Sequence, residues 1–252
     1  MDAKPCCSLH AEPDPQRRSL LKAGAGLAAL GLIGAGTWLG APAQVQAAAL
    51  GRAERDGLTH EQVIERLKAG NQRFRSGRMQ QHDYLAQKRA SRDGQYPAAA
   101  ILSCIDSRAP AEILFDVGIA DTFNARVAGN VANDDLLGSL EFACAVAGAK
   151  LVLVMGHTAC GAIKGAIDGA QLGHLTGLLE KIRPAVDATR FEGERSAKNP
   201  AFVDAVARTH VQLTVERIRQ SSPVLAGLER EGRIKLVGSL YHLNGGEVEF
   251  FL

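Results

Sequence analysis

The sequence predicts an α/β fold: a parallel-core β-sheet flanked by helices, with an N-terminal helical arm and a C-terminal β-hairpin. Three observations predict it. Short aliphatic runs at 98–102, 151–155 and 234–240 are flanked by turn residues, as strands buried on both faces are. Helical patterns lie between them, and strand–helix–strand alternation implies parallel strands joined by right-handed crossovers. Two of the runs end in reactive side chains, Ser103-Cys104-Ile105-Asp106-Ser107-Arg108 and Gly156-His157-Thr158-Ala159-Cys160-Gly161. Ligands of open parallel sheets bind at that place, beyond the carboxyl ends of the strands.

In chain order, residues 1–49 read as a targeting segment and 50–252 as one catalytic domain. Gln16-Arg17-Arg18-Ser19-Leu20-Leu21-Lys22 resembles the twin-arginine export signal. A mildly apolar stretch rich in Gly and Ala, 23–40, and an Ala-rich cleavage region near Val45-Gln46-Ala47 follow it. The stretch has the length of a membrane anchor, but its glycines and the small residues downstream favour cleavage. Export in the folded state to the periplasm by the twin-arginine translocation machinery is therefore expected, with no stable membrane anchor. That route lets the cysteines take up metal before the chain meets an oxidising compartment.

Thr59 and Gln62 form a capping signature for the N-terminus of a helix. Its apolar face carries Val63, Ile64, Leu67 and Phe74. A second helix spans about 83–92, and 110–115 makes a short helix or turn. The next strand, 121–128, brings Arg126 toward the sheet's end. Asp134 or Asp135 caps a helix running to Ala147, and Cys144 within it reads as core. After the strand at 151–156, a helix over 162–167 begins beside Cys160. A loop bounded by Gly169 and Gly173 leads to a helix at 175–186; His174 reads as a loop or cap residue. An exposed linker, 191–199, precedes the longest amphipathic helix, 200–220, where His210 reads as a helix-face residue. A short helix after Ser222-Pro223, the strand 234–240, the turn Asn244-Gly245-Gly246 and an edge hairpin over 247–252 complete the chain, with His242 exposed or interfacial.

Composition limits the function classes. At 252 residues and 46% hydrophobic content, the chain buries a full core as one domain. The net charge is +2. Four of 29 basic and three of 27 acidic residues lie in the leader, which leaves 25 against 24, or +1. Such balance gives no electrostatic case for nucleic acid or an anionic membrane. Of the five cysteines, Cys6 and Cys7 lie in the leader, so cysteine usage suits metal binding better than a disulfide framework.

Cys104, His157 and Cys160 supply three donors of the kind zinc takes in tetrahedral geometry, and a catalytic site keeps the fourth position open. His157 and Cys160 stand at i, i+3, where a strand end turns into a helix. Cys104, Asp106 and Arg108 alternate at i, i+2, i+4, so an extended chain points them to one side. An acid and a base then stand beside the ion.

Cys-x-Asp-x-Arg followed by His-x-x-Cys-Gly is similar to the signature of the β-class carbonic anhydrases. Arg126-Val127-Ala128-Gly129-Asn130 and Gly238-Ser239-Leu240-Tyr241…Gly246-Glu247-Val248 also resemble segments of that family, and the likeness covers about 59–252. The resemblance implies one Zn2+ per subunit on Cys104, His157 and Cys160, with Asp106 and Arg108 as the dyad beside the open position. The implied reaction is reversible hydration of CO2 to bicarbonate and a proton by zinc-bound hydroxide. Two thiolates offset the ion's charge, so the bound water should be less acidic than on three histidines, and turnover should rise toward alkaline pH. Released by Arg108, Asp106 could instead fill the fourth position; the sequence does not rank these two states.

The family divides into a subtype with a substrate-side Gln and one with an inhibitory bicarbonate pocket marked by a Trp. Gln95 matches the Gln, which acts from across a dimer interface, and Ile101 stands where the Trp would. The open subtype is therefore implied. Gly161 would offer its backbone N–H to substrate, Phe123 matches an apolar pocket wall, and Phe142 stands where a Tyr often does. The resemblance further implies a homodimer or a higher assembly of dimers, with the N-terminal helices wrapping the partner; docking on their own domain is the alternative. Competing readings are hydrolysis of carbon disulfide or carbonyl sulfide on the same scaffold and a non-catalytic zinc-binding protein. Asp106 and Arg108 argue against the latter, and the cysteine spacing argues against a redox pair.

Overall fold

The computed structural model of the protein describes residues 45–46 and 48–251. The twin-arginine segment and the stretch after it lie outside the described residues. Strand β1 (Val45–Gln46) pairs in parallel with β2 (Gln81–His82). Between them lie helices α1 (Arg52–Asp56) and α2 (His60–Arg75), and α3 (Tyr84–Ala90) follows. The main part of the chain then runs β3 (Ala99–Ser103), α4 (Ala111–Leu114), β4 (Thr122–Arg126), α5 (Asp134–Glu141) and β5 (Leu151–His157). It continues through α6 (Gly161–Asp168), α7 (Gly173–Glu180), α8 (Arg183–Ala188), α9 (Pro200–Ser221), α10 (Pro223–Arg230), β6 (Lys235–Tyr241) and β7 (Val248–Phe251).

The central sheet has the order β4-β3-β5-β6-β7, parallel except for β7, which returns antiparallel along β6. This is the expected parallel core with a terminal hairpin. Side-chain alternation divides the strands between two cores. Ala100, Leu102, Val152, Val154 and Leu236 meet Val211, Val215 and Ile218 of α9 and Leu137 and Leu140 of α5. Ala99, Ile101, Leu151, Leu153 and Val237 meet Val63 and Leu67 of α2 with Leu114 and Phe115. Burial of each such Leu, Ile or Val contributes about 1.5–3 kcal/mol before entropy is counted. β3 and β5 are buried on both faces, which is why they are aliphatic over 99–102 and 151–155. Ser103 lies level with Met155 and Arg126, so Cys104 and His157 emerge at the same edge of the sheet.

Helix α2 begins at the expected capping box, with Thr59 and Gln62 bonded reciprocally. Its buried face, with Val63 and Leu67, packs on its own chain. A Cβ on Gly70 would lie 1.7 Å from the Phe115 carbonyl oxygen, so only glycine permits this approach. Buried Asn71 donates to the Leu114 and Gly246 carbonyls and accepts from the Val248 N–H. One side chain thus ties α2 to α4 and to the terminal hairpin.

Three local expectations need correction. Asn133, not Asp134 or Asp135, caps α5 by accepting from the Leu136 N–H; the two aspartates occupy the first turn, where the helix dipole favours negative charge. The helix does not run regularly to Ala147, because Phe142–Val146 is π-helical. This wider turn keeps Cys144 buried while Phe142 and Val146 face outward, and burial pushes the Cys144 thiol up to about 12. The helix expected over 175–186 is two, α7 and α8, broken at Lys181–Ile182. Among the described residues, no helix is long and apolar enough to cross a membrane.

Candidate metal centre

Strand β3 ends one residue before Cys104, β5 ends on His157, and Cys160 is the residue just before α6, at its N-cap. The three side chains are buried, and their ligand atoms all lie within 4.8 Å of one another. One ion with bonds of about 2.0–2.3 Å is within reach of all three. The i, i+3 step works as expected, because the chain turns between His157 and Cys160. Ala159 takes a left-handed φ of 54° there, and Asp204 of α9 secures the turn by accepting from the Ala159 N–H at 2.9 Å.

The imidazole is set up as a ligand. His157 Nδ1 lies 2.9 Å from the Thr158 carbonyl oxygen, an acceptor only, so Nδ1 carries the proton and Nε2 keeps a lone pair. Nε2 is buried and has no hydrogen-bond partner among the described residues. An orphaned buried polar atom costs about 1–3 kcal/mol, and a metal ion in the ligand cluster removes that cost. Two sulfurs and an imidazole form a donor set that suits zinc.

The two thiols cannot both ionise unaided. Hydrogen bonding with Cys160 holds Cys104 well below the usual thiol range against burial, helped by His157 and by the Gly129 and Asp106 N–H groups. The same bond, with burial and the Cys104 charge, drives Cys160 upward. One thiolate in this pair disfavours the other, and a divalent cation held by both sulfurs would let the remaining proton leave. The Ala162 and Ile163 N–H groups at the start of α6 favour the Cys160 anion.

Asp106 and Arg108 form the expected dyad. Arg108 donates to both carboxylate oxygens, from Nε at 2.9 Å and Nη2 at 2.8 Å, and its backbone N–H adds a third bond at 2.9 Å. That hydrogen bonding holds the Asp106 carboxyl well below the usual range. Asp106 Oδ2 stands 3.7 Å from His157 Nε2, beside the ligand cluster but engaged by Arg108.

Arg126 takes a part that its sequence position did not disclose. From the end of β4 it donates to the Cys104 carbonyl at 2.9 Å and to the Asp106 carbonyl at 2.6 Å, holding the loop that presents both side chains. Gly129 donates its N–H to Cys104 Sγ at 3.3 Å. His210 lies on the buried face of α9, with Nε2 2.8 Å from the Gly129 carbonyl.

The substrate-side residues divide. Gly161 opens α6 next to Cys160, with open space where a Cβ would lie. Gln95 is exposed in the loop before β3, at the opposite end of that strand from Cys104. Phe123 is level with Ala100, and its ring meets Phe142 edge-on at 6.2 Å. These rings line a separate cleft of about 750 Å³ with Ile101 and Leu136. Within one chain, therefore, Gln95, Phe123 and Phe142 do not reach the metal ligands.

Residues 99–248 match the family model described as carbonic anhydrase. The chain is 36% identical over 186 residues to carbonic anhydrase 2 of Mycobacterium tuberculosis, covering 71% of this chain and 87% of that protein. Its structure is similar to that of the β-carbonic anhydrase CafA of Aspergillus fumigatus (TM-score 0.57, 26% identity, 64% of this chain and 77% of that one). It also shares its fold with a β-carbonic anhydrase of Sordaria macrospora described as tetrameric (TM-score 0.56, 22% identity, 64% of this chain and 83% of that one). With its motif residues gathered at one sheet edge and this degree of likeness, the chain belongs to the β-class carbonic anhydrases.

Proposed function

We infer that the protein is a zinc-dependent carbonic anhydrase, interconverting CO2 and bicarbonate at the cluster of Cys104, His157 and Cys160. The observation that carries this reading is the unpartnered Nε2 of His157 facing two thiols, beside an intact carboxylate–guanidinium pair. Zinc, when bound by these three residues, supplies Lewis acidity that lowers the pKa of a water and makes a hydroxide nucleophile available near neutral pH.

The chain's own residues do the rest. Asp106 accepts a hydrogen bond from the attacking oxygen and fixes which lone pair faces CO2. Arg108 keeps the carboxylate oriented and anionic. Because its pKa is held so low, Asp106 cannot store the proton released on hydration, and that proton passes to solvent. The N-terminal N–H groups of α6, Gly161 among them, favour the negative charge that develops on bicarbonate. A purely structural metal site has no use for an acid held open beside it.

The expected pH dependence follows. Asp106 stays ionised throughout the working range, so any rise in rate reports deprotonation of the nucleophile. Two thiolate ligands place that step on the alkaline side. CO2-hydration rates on zinc-loaded protein should climb from pH 6 to 9, with no matching release of sulfide from carbon disulfide or carbonyl sulfide. A flat profile, or sulfide release exceeding hydration, would overturn the reading.

We also propose that the chain is exported folded to the periplasm and works as a dimer or an assembly of dimers. Arg17-Arg18 and the stretch after them support the first. The second is supported by the distance of Gln95 and Phe123 from their own chain's ligands and by exposed Phe142, Val146 and Ile113. Fractionation followed by light scattering should find a dimeric or larger species in the periplasm, abolished there by Arg17→Lys with Arg18→Lys. An active monomer retained in the cytoplasm would contradict both proposals.

A further inference from the structure

The metal ligands are held by α9 as well as by the strands that carry them. Gly129 sits in a turn closed by the Asn130 N–H on the Val127 carbonyl. Its φ is 66°, and a Cβ there would lie 2.6 Å from Ile182 Cδ1, so the position is restricted to glycine on two counts. The N–H that this turn delivers reaches Cys104 Sγ at 3.3 Å. The carbonyl of the same residue faces His210 Nε2 at 2.8 Å. His210 is 4% exposed, and burial pushes its imidazole down to about 4. The ring is neutral at working pH, and against a carbonyl its one proton must sit on Nε2. His210 is therefore a fixed donor that settles the peptide plane after Gly129.

We propose that His210 is a positioning residue of the metal centre: by holding the Gly129 carbonyl it fixes the backbone torsion at Gly129 within the turn closed by Asn130 and Val127, so that the adjoining peptide unit keeps its N–H on Cys104 Sγ, and thereby tunes how strongly that sulfur donates to the ion. The physical basis is simple. A hydrogen bond to a thiolate withdraws charge from sulfur, so the ion remains a stronger Lewis acid than two unbonded thiolates would leave it. Partners of ligands commonly change metal affinity or activity by about 10- to 100-fold when removed. Nothing in the sequence pattern assigns this role to His210, which lies 81 residues from the glycine it bonds.

The proposal rests on the reading of Cys104 as a ligand, and the test separates the two. The mature protein is loaded with Co2+ and its thiolate-to-cobalt charge-transfer absorption recorded. Bands in the parent support the metal reading; their absence overturns that reading. In His210→Phe the bands should move to longer wavelength, because a sulfur without its N–H partner holds its electrons less tightly. The pH midpoint of CO2 hydration on the zinc form should move to the alkaline side. His210→Gln, which retains an N–H donor, should restore both. His210→Met gives the same donor-free comparison where Phe is not accommodated. Parent and donor-free variants with identical bands and pH midpoints, differing only in melting temperature, would show that His210 is structural and end the proposal.

Discussion

Asp106→Ala should cut CO2 hydration by about 10²- to 10³-fold, the range that one preorganised polar partner of a reacting oxygen contributes, while leaving metal content unchanged. The carboxylate stands beside the ligand cluster, 3.7 Å from His157 Nε2, and Arg108 holds both of its oxygens. Its removal leaves Arg108, which is largely exposed, free to be solvated, so the fold has little to lose. Stopped-flow rates and elemental analysis on one sample check this. Retained activity would remove Asp106 from the mechanism. Loss of metal together with activity would instead make the carboxylate a ligand.

Cys160→Ser should have the larger effect, abolishing both metal and activity. A serine hydroxyl stays protonated near neutrality, so the cluster loses one of its two anionic donors and the soft character that suits zinc. Loss of a ligand's hydrogen-bond partner alone costs about 10- to 100-fold, so loss of the ligand itself should exceed about 100-fold in affinity. Dialysis against a competing chelator, followed by metal analysis, measures it. Cys144→Ser makes the control: that thiol is buried in the π-helical turn, away from the cluster, and its replacement should leave metal content intact. Full metal retention in Cys160→Ser would mean that the ion is held elsewhere.

The legible parts of the molecule were those written in local patterns. Strands β3 and β5 could be read because burial on both faces demands continuous aliphatics, and their ends located Cys104 and His157. The Thr59–Gln62 box could be read because both partners lie within one helical turn. Asn133 was missed in favour of its acidic neighbours because Asn, Asp and Ser cap about equally well, so composition does not choose among adjacent candidates. The π-helical turn at Phe142–Val146 has no periodic signature of its own in five residues. Arg126, Asp204 and His210 were missed as parts of the centre for a common reason. Each bonds a backbone group, 22, 45 and 81 residues away respectively, and a backbone partner leaves no mark in the sequence. An arginine ending a strand beside the motif and a histidine on the apolar face of a long helix were the only signals available.

X-ray absorption at the zinc edge of the purified mature protein tests the central claim most directly, since it counts the ion's neighbours by element. Two sulfurs at about 2.3 Å and two nitrogen or oxygen neighbours at about 2.0–2.1 Å, one of them lost or exchanged when a competing anion is added, is the predicted result. A shell of four sulfurs, a shell indifferent to added anion, or protein free of zinc would contradict it.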